Sequence, residues 1–186
     1  MAKQSWAILN IDDQRVRKYI KNTAAQIITY GFGKTADIMA DYVKFSYVDG
    51  ESDIDNLQGI SFKVSYRGAT VPILLPHSLA VGQVYAALAA VGCGIIYGID
   101  LITIAARLRE FMPPAGRMNL IKGIKKSVII DDTYNSSPPA TLAALDVLSK
   151  IPLTGERRRF AVLGDMLELG SASIESHQAA GRQAAE

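Results

Sequence analysis

Apolar and polar positions divide the chain into two α/β stretches. Residues 5–11 are apolar through their middle and stop at Asn10, Asp12 and Asp13, as a buried parallel strand does when it delivers polar groups at its carboxyl end. The pattern then predicts a short helix over 13–21 with a basic outer face and a strand over 26–30, a βαβ unit. Between Asp37 and Leu75 it turns to β: a run through 42–47, a polar turn at 49–53, then strands 61–66 and 70–75 joined as a hairpin by Arg67 and Gly68. This predicts an antiparallel β extension on an otherwise parallel domain.

From Val84 to Ile99 the chain holds only apolar residues, Tyr and Gly, but these sixteen positions fall short of the roughly twenty that cross a bilayer, and Asp100 ends the run. The spacing predicts a pair of helices instead. The first covers 83–91 with Val84, Leu88 and Val91 on one face; a connector through Gly92, Gly94 and Gly98 follows. The second is N-capped by Asp100, with Leu101, Ile104, Leu108 and Phe111 inward. A Pro-rich connector at 112–116 marks a boundary between domains at 1–112 and 113–186. Beyond it the pattern predicts a strand over 127–131, a helix over 138–149, a strand over 160–164 and a last helix from about Ser173. Ser137 is the N-cap of the 138–149 helix, Pro138 its first residue, and Leu142, Leu145 and Leu148 lie on one face.

The strand over 127–131 would present Asp131 and Asp132 at its carboxyl edge, where open α/β sheets hold ligands. Two adjacent acids alone fit a solvated surface loop better. Arg117, between a Gly and a Met, is placed to aim a guanidinium at an anion, and it reaches the same edge only if 118–126 doubles back. Gly123, Lys125 and Lys126 suit that turn. The segment GFGKT at 31–35 suggests a phosphate loop, yet the position five before Gly33 is Ile28 rather than Gly, and a strand rather than a helix is expected after Thr35.

Composition narrows the classes. The chain has 186 residues, 49% of them hydrophobic and 20% charged, with a net charge of +2, so no field points to nucleic acid or an anionic membrane as partner. Arg157, Arg158 and Arg159 read as the solvated start of the 160–164 strand, since alternate residues of a strand face opposite ways. A single cysteine, Cys93, excludes an internal disulfide and is expected to pack as a small hydrophobe. No His has a Cys or second His at metal spacing, and the first residues lack the layout of a signal peptide; a reducing, cytoplasmic setting is expected.

Three stretches in order, PPAGRM, VIIDDTYNSSP and RRFAVLGDMLELG with His177 beyond it, resemble the Mur ligases, and ILNIDD and QVYAALAAVGCGI extend the resemblance over nearly the whole chain. The resemblance implies an α/β fold in which 1–112 is part of the central ATPase domain, a parallel βαβ unit with an antiparallel β extension and a helical pair. Residues 113–186 would be the first half of a Rossmann-like C-terminal ligase domain. It also implies ADP-forming amide ligation with ATP and Mg²⁺ in peptidoglycan synthesis. DDTYN with GDMLELG favours members that add D-alanyl-D-alanine to UDP-N-acetylmuramoyl-tripeptide over the folylpolyglutamate and cyanophycin synthetases that share the architecture.

By motif position, Asp132 matches the acid that holds the ATP ribose hydroxyls, and Arg117 the arginine that reaches the nucleotide. Where the family frames adenine with a His, an amide and an Asn, this chain has Gly82, Gln83 and Ala86, so only Gln83 keeps an amide. Asn10 would line the same cleft or simply form a turn. No catalytic or metal-binding residue is assigned, because the family's P-loop lysine, its Mg²⁺ ligands and its modified lysine all precede the stretch that resembles ILNIDD. Asp165 and Glu168 suit a structural or a functional role. The alternative is a non-catalytic α/β module that at most binds a nucleotide.

Overall fold

The computed structural model describes residues 5–48 and 53–185; the expected polar turn lies, apart from Asp53, outside them. The chain divides into two compact units. The first comprises Met1–Lys44, Ile60–Pro76 and Val81–Phe111, the second Phe45–Gly59, His77–Ala80 and Met112–Glu186.

In the first unit β1 (Trp6–Asn10) and β2 (Gln26–Gly31) pair in parallel, Trp6 opposite Gln26 and Asn10 opposite Tyr30. Between them Asp13 caps the short α1 (Gln14–Arg17) by accepting the amides of Arg15 and Val16, and a 3₁₀ turn, Lys18–Lys21, follows. β3 (Ile38–Tyr47) joins β2 in parallel through Tyr30 opposite Ile38. It is followed in the sheet by β4 (Leu57–Tyr66) and β5 (Ala69–Pro76), in the order β1-β2-β3-β4-β5. Arg67 and Gly68 link β4 to β5 with φ of 47° and 83°, the left-handed pair that a two-residue hairpin requires. As an edge strand β1 leaves Trp6 45% exposed.

The face of the sheet is covered by α2 (Val81–Ile96) and α3 (Leu101–Leu108). Ile38, Phe62, Val64, Ile73 and Leu75 from the strands pack with Val84, Leu88, Val91 and Ile104 from the helices. Each such buried side chain contributes about 1.5–3 kcal/mol relative to its exposed state.

Three expectations for these helices are corrected. Helix α2 does not stop at Val91 but runs through Gly92 and Gly94, and the turn comes at Gly98, whose φ is 78°. The reason is packing: a Cβ on Gly92 would lie 2.9 Å from Ile8 Cγ2, and one on Gly94 2.6 Å from Ile104 Cδ1. Small residues let the helix approach strand and neighbour. Cys93 is exposed rather than packed, because it sits two residues past the inward Val91 and so on the opposite face. Asp100 does cap α3 through the amides of Ile102 and Thr103, but the helix ends at Leu108 and Phe111 stays exposed.

In the second unit β6 (Asn119–Lys122) and β7 (Val128–Asp131) form an antiparallel pair, with Asn119 opposite Asp131. The segment after Arg117 therefore does double back. Its turn is a 3₁₀ stretch, Ile124–Lys126, in which Lys125 and Lys126 take φ of 51° and 59°. Ser137 precedes α4 (Pro138–Lys150) in extended conformation with Pro138 in the first turn, and α5 (Ser173–Ala185) closes the chain. Leu79, Met118, Val147 and Ile151 form the core of this unit with Ile54 and Leu57.

The strand expected at 160–164 does not form. The segment is extended but unladdered, with Phe160 72% and Val162 96% exposed. An apolar run makes a strand only where a neighbour pairs its backbone, and none of the described residues does so. The preceding arginines accordingly do not lead into a strand. Arg157 bonds to Asp53 and Asp55, and Arg159 donates to the carbonyls of Leu148 and Ile151 at the end of α4.

Candidate functional site

In the second unit the antiparallel turn carries the Arg117 segment back along β7, so that both acids of the strand end bind it. Gly116 donates its N–H to Asp131 Oδ2 at 3.2 Å, and Met118 donates to Asp132 Oδ1 at 3.0 Å. Arg117 is the exposed residue between these two fastened amides. Gly116 permits the approach with a φ of 72°; a Cβ there would stand 2.8 Å from Tyr134 N.

The two acids differ in state. Asp131 is tied by the hydroxyl and amide of Thr133 as well as by Gly116, and the Thr133 hydroxyl above all holds its carboxyl below the usual value. Asp132 is half-buried, and that burial pushes its carboxyl up against the opposing pull of the Met118 N–H and the Arg117 charge. A desolvated carboxylate of this kind gains from hydroxyl donors brought by a ligand. Above the same loop lies the Arg117 guanidinium, 4.1 Å from the centre of the Tyr134 ring. Of the candidates read from sequence, Arg117 and Asp132 are thus brought together.

Asn10 and Gln83 lie in the first unit. Asn10 ends β1 and accepts the Asp12 N–H through Oδ1 at 3.0 Å, the turn-forming role. Gln83 sits half-buried in the first turn of α2. Asp12 links the two elements: it accepts the Tyr85 hydroxyl at 3.0 Å, the Phe32 amide at 2.6 Å and the Gly33 amide at 3.2 Å. The amides of the GFGKT turn are therefore turned onto the protein's own carboxylate. Phe32 and Tyr85 complete the cluster edge to face, with centroids 4.9 Å apart.

Met166 and His177 are joined elsewhere in the second unit, with Asp165 Oδ1 3.9 Å from His177 Nε2. His177 accepts the Met166 N–H on Nε2 at 3.1 Å, and its Nδ1 meets the Ser173 carbonyl at 2.8 Å. Tyr134, Asp12 and Tyr85 were not singled out by sequence reasoning as parts of these arrangements. Only their position in DDTY, LNIDD and QVYAALAAVGCGI could have flagged them.

Residues 116–186 match the family described as Mur ligase, glutamate ligase domain. The UDP-N-acetylmuramoyl-tripeptide–D-alanyl-D-alanine ligase of Mycobacterium tuberculosis is 32% identical over 95% of this chain and 33% of its own length. A crystal structure of MurF from Acinetobacter baumannii superposes with a TM-score of 0.76 at 26% identity, covering 100% of this chain and 37% of that one. A Thermotoga maritima MurF ligase in complex with ADP shares the fold, with a TM-score of 0.74 at 23% identity over 98% of this chain and 38% of the other. The chain spans about a third of the length of the curated relatives it matches. Along almost its entire length the chain is similar to Mur ligases, and residues 116–186 match that family's glutamate ligase domain.

Proposed function

We propose that the chain is part of an ADP-forming amide ligase that adds D-alanyl-D-alanine to UDP-N-acetylmuramoyl-tripeptide in peptidoglycan synthesis, in the cytoplasm. On this reading residues 1–112 belong to the central ATPase domain and 113–186 to the C-terminal ligase domain. The observation that carries it is the grip of Asp131 and Asp132 on the Arg117 segment, in a chain 32% identical to such a ligase along 95% of its length.

ATP supplies the phosphoryl group that turns a carboxylate into an acyl phosphate open to attack by an amine. Around it, this chain's residues bind and orient. Asp132, half-buried and holding one N–H, that of Met118, on Oδ1, accepts the ribose hydroxyls. Arg117 offers N–H groups to phosphate or ribose oxygens, a geometry suited to its planar fork. Asp131 acts through the backbone by fixing Gly116. In the first unit Gln83 keeps a side-chain amide of the kind that suits an adenine edge, where Gly82 and Ala86 offer none. No Mg²⁺ ligand is assigned among these residues.

Assay of the longest in-frame protein containing this chain, with UDP-N-acetylmuramoyl-tripeptide and ATP, tests the proposal. Equimolar ADP and UDP-N-acetylmuramoyl-pentapeptide should form only when D-alanyl-D-alanine is added. ADP release indifferent to the dipeptide, or the use of glutamate in its place, contradicts it.

A further inference from the structure

We infer that Tyr134 is a positioning residue for Arg117: its ring is the platform that holds the guanidinium where its N–H edge meets the phosphate chain of a nucleotide. The inference rests on the nucleotide reading above and adds to it a residue that the reading leaves without a role.

The backbone of Arg117 is fixed on both sides, by Gly116 on Asp131 and Met118 on Asp132. Its side chain is not fixed by these bonds, and an arginine side chain carries about 2 kcal/mol of rotamer entropy. The Tyr134 ring, 4.1 Å from the guanidinium carbon, lies within the roughly 6 Å over which a cation and an aromatic face attract. The platform is fastened to the same strap it serves, since Tyr134 donates its N–H to the Gly116 carbonyl at 3.2 Å. Ring and cation therefore move together with the Asp131–Asp132 loop. The chemistry is compatible with ligand binding, because a guanidinium that lays its flat face on a ring keeps its in-plane N–H groups for anion oxygens. Tyr134 is 70% exposed, so its size is not needed to fill a core.

The test uses isothermal titration of the 186-residue chain with ATP and with adenosine. Tyr134→Phe keeps the face and should bind ATP within 2-fold of the unmodified chain, by the stated mechanism. Tyr134→Ala should weaken ATP about 2- to 5-fold, the size of an exposed cation–aromatic contact, and leave adenosine unchanged. Adding it to Arg117→Ala should cost nothing further. Equal losses for ATP and adenosine, additive losses in the double variant, or no rescue by Phe would overturn the inference. Asp132→Ala, measured alongside, reports on the nucleotide reading separately: an unchanged ATP affinity there sinks that reading and the phosphate role with it. NMR then decides the platform itself. The Arg117 Cδ protons should be shifted upfield by the ring and return to ordinary values in Tyr134→Ala; ordinary values in the unmodified chain would show that no stack exists.

Discussion

The Tyr85 hydroxyl donates to Asp12 Oδ2 at 3.0 Å across 73 positions of sequence, on a carboxylate that also takes the amides of Phe32 and Gly33. One acid thus pins α2, the end of β1 and the glycine turn after β2. Asp12→Ala would leave two part-buried amides without their acceptor, at about 1–3 kcal/mol for each unsatisfied group. Tyr85→Phe should cost about 1.5–3 kcal/mol, the range for a hydrogen bond to a charged partner. Urea unfolding measures both, and midpoints equal to that of the unmodified chain would remove the cluster from the stability account. The bond also sets a pH dependence. Burial first, and then Asp12, push the Tyr85 phenol from 10.0 up to about 12. A group whose pKa is raised by folding contributes fully below its unfolded value, so this stability should fade as pH climbs past 10.0 and be gone above about 12. Tyr85→Phe should flatten that alkaline limb.

Gly92 makes a second prediction, of opposite sign to helix propensity. Alanine improves an isolated helix by about 1 kcal/mol over glycine. Here the new Cβ would lie 2.9 Å from Ile8 Cγ2, a branch carbon held in the sheet, so Gly92→Ala should lower stability by about 1–3 kcal/mol instead. A thermal midpoint raised by the substitution would show that α2 can withdraw from β1 without loss.

At acid pH the second unit should weaken through Asp53. The Thr154 hydroxyl most of all, then the Asp55 amide and the Arg157 charge, hold its carboxyl below 3.8 against the effect of burial. A carboxyl lowered by folding stabilises above its unfolded value, and that contribution is lost as pH falls from 3.8 through the lowered pKa. Asp53→Asn should make acid unfolding of this unit less steep. An identical acid limb in the variant would remove the Asp53 contacts with Thr154 and Arg157 from the stability account.

How far the sequence foretold these features depended on how local their causes are. The cap at Asp100, the Arg67–Gly68 hairpin and the Pro138 start of α4 follow from rules that act within a few residues, and they were legible. The passage of α2 through Gly92 and Gly94 was not, because its cause is the close approach of Ile8 and Ile104 from elsewhere in the chain. The same limit explains the 160–164 segment: apolar content suggests a strand, but pairing is a property of neighbours. Arg117 and Asp132 could be foreseen together once Gly123 and the lysines were read as a turn. The stacking of Tyr134 could not, since nothing in the spacing of DDTY says which way its ring falls.

The account stands most directly on Asp132 as the carboxylate that receives nucleotide hydroxyls. Burial raises its carboxyl above 3.8, so ATP affinity should improve as pH rises through that group's titration and then level, while Asp132→Ala should show no such rise. The decisive measurement is the dissociation constant for ATP of the unmodified and Asp132→Ala chains by isothermal titration at pH 7, with circular dichroism confirming equal folding. The predicted result is a loss of about 1.5–3 kcal/mol, roughly 10- to 150-fold, from removing a charged hydrogen-bond acceptor. Equal affinity in the two chains would contradict it.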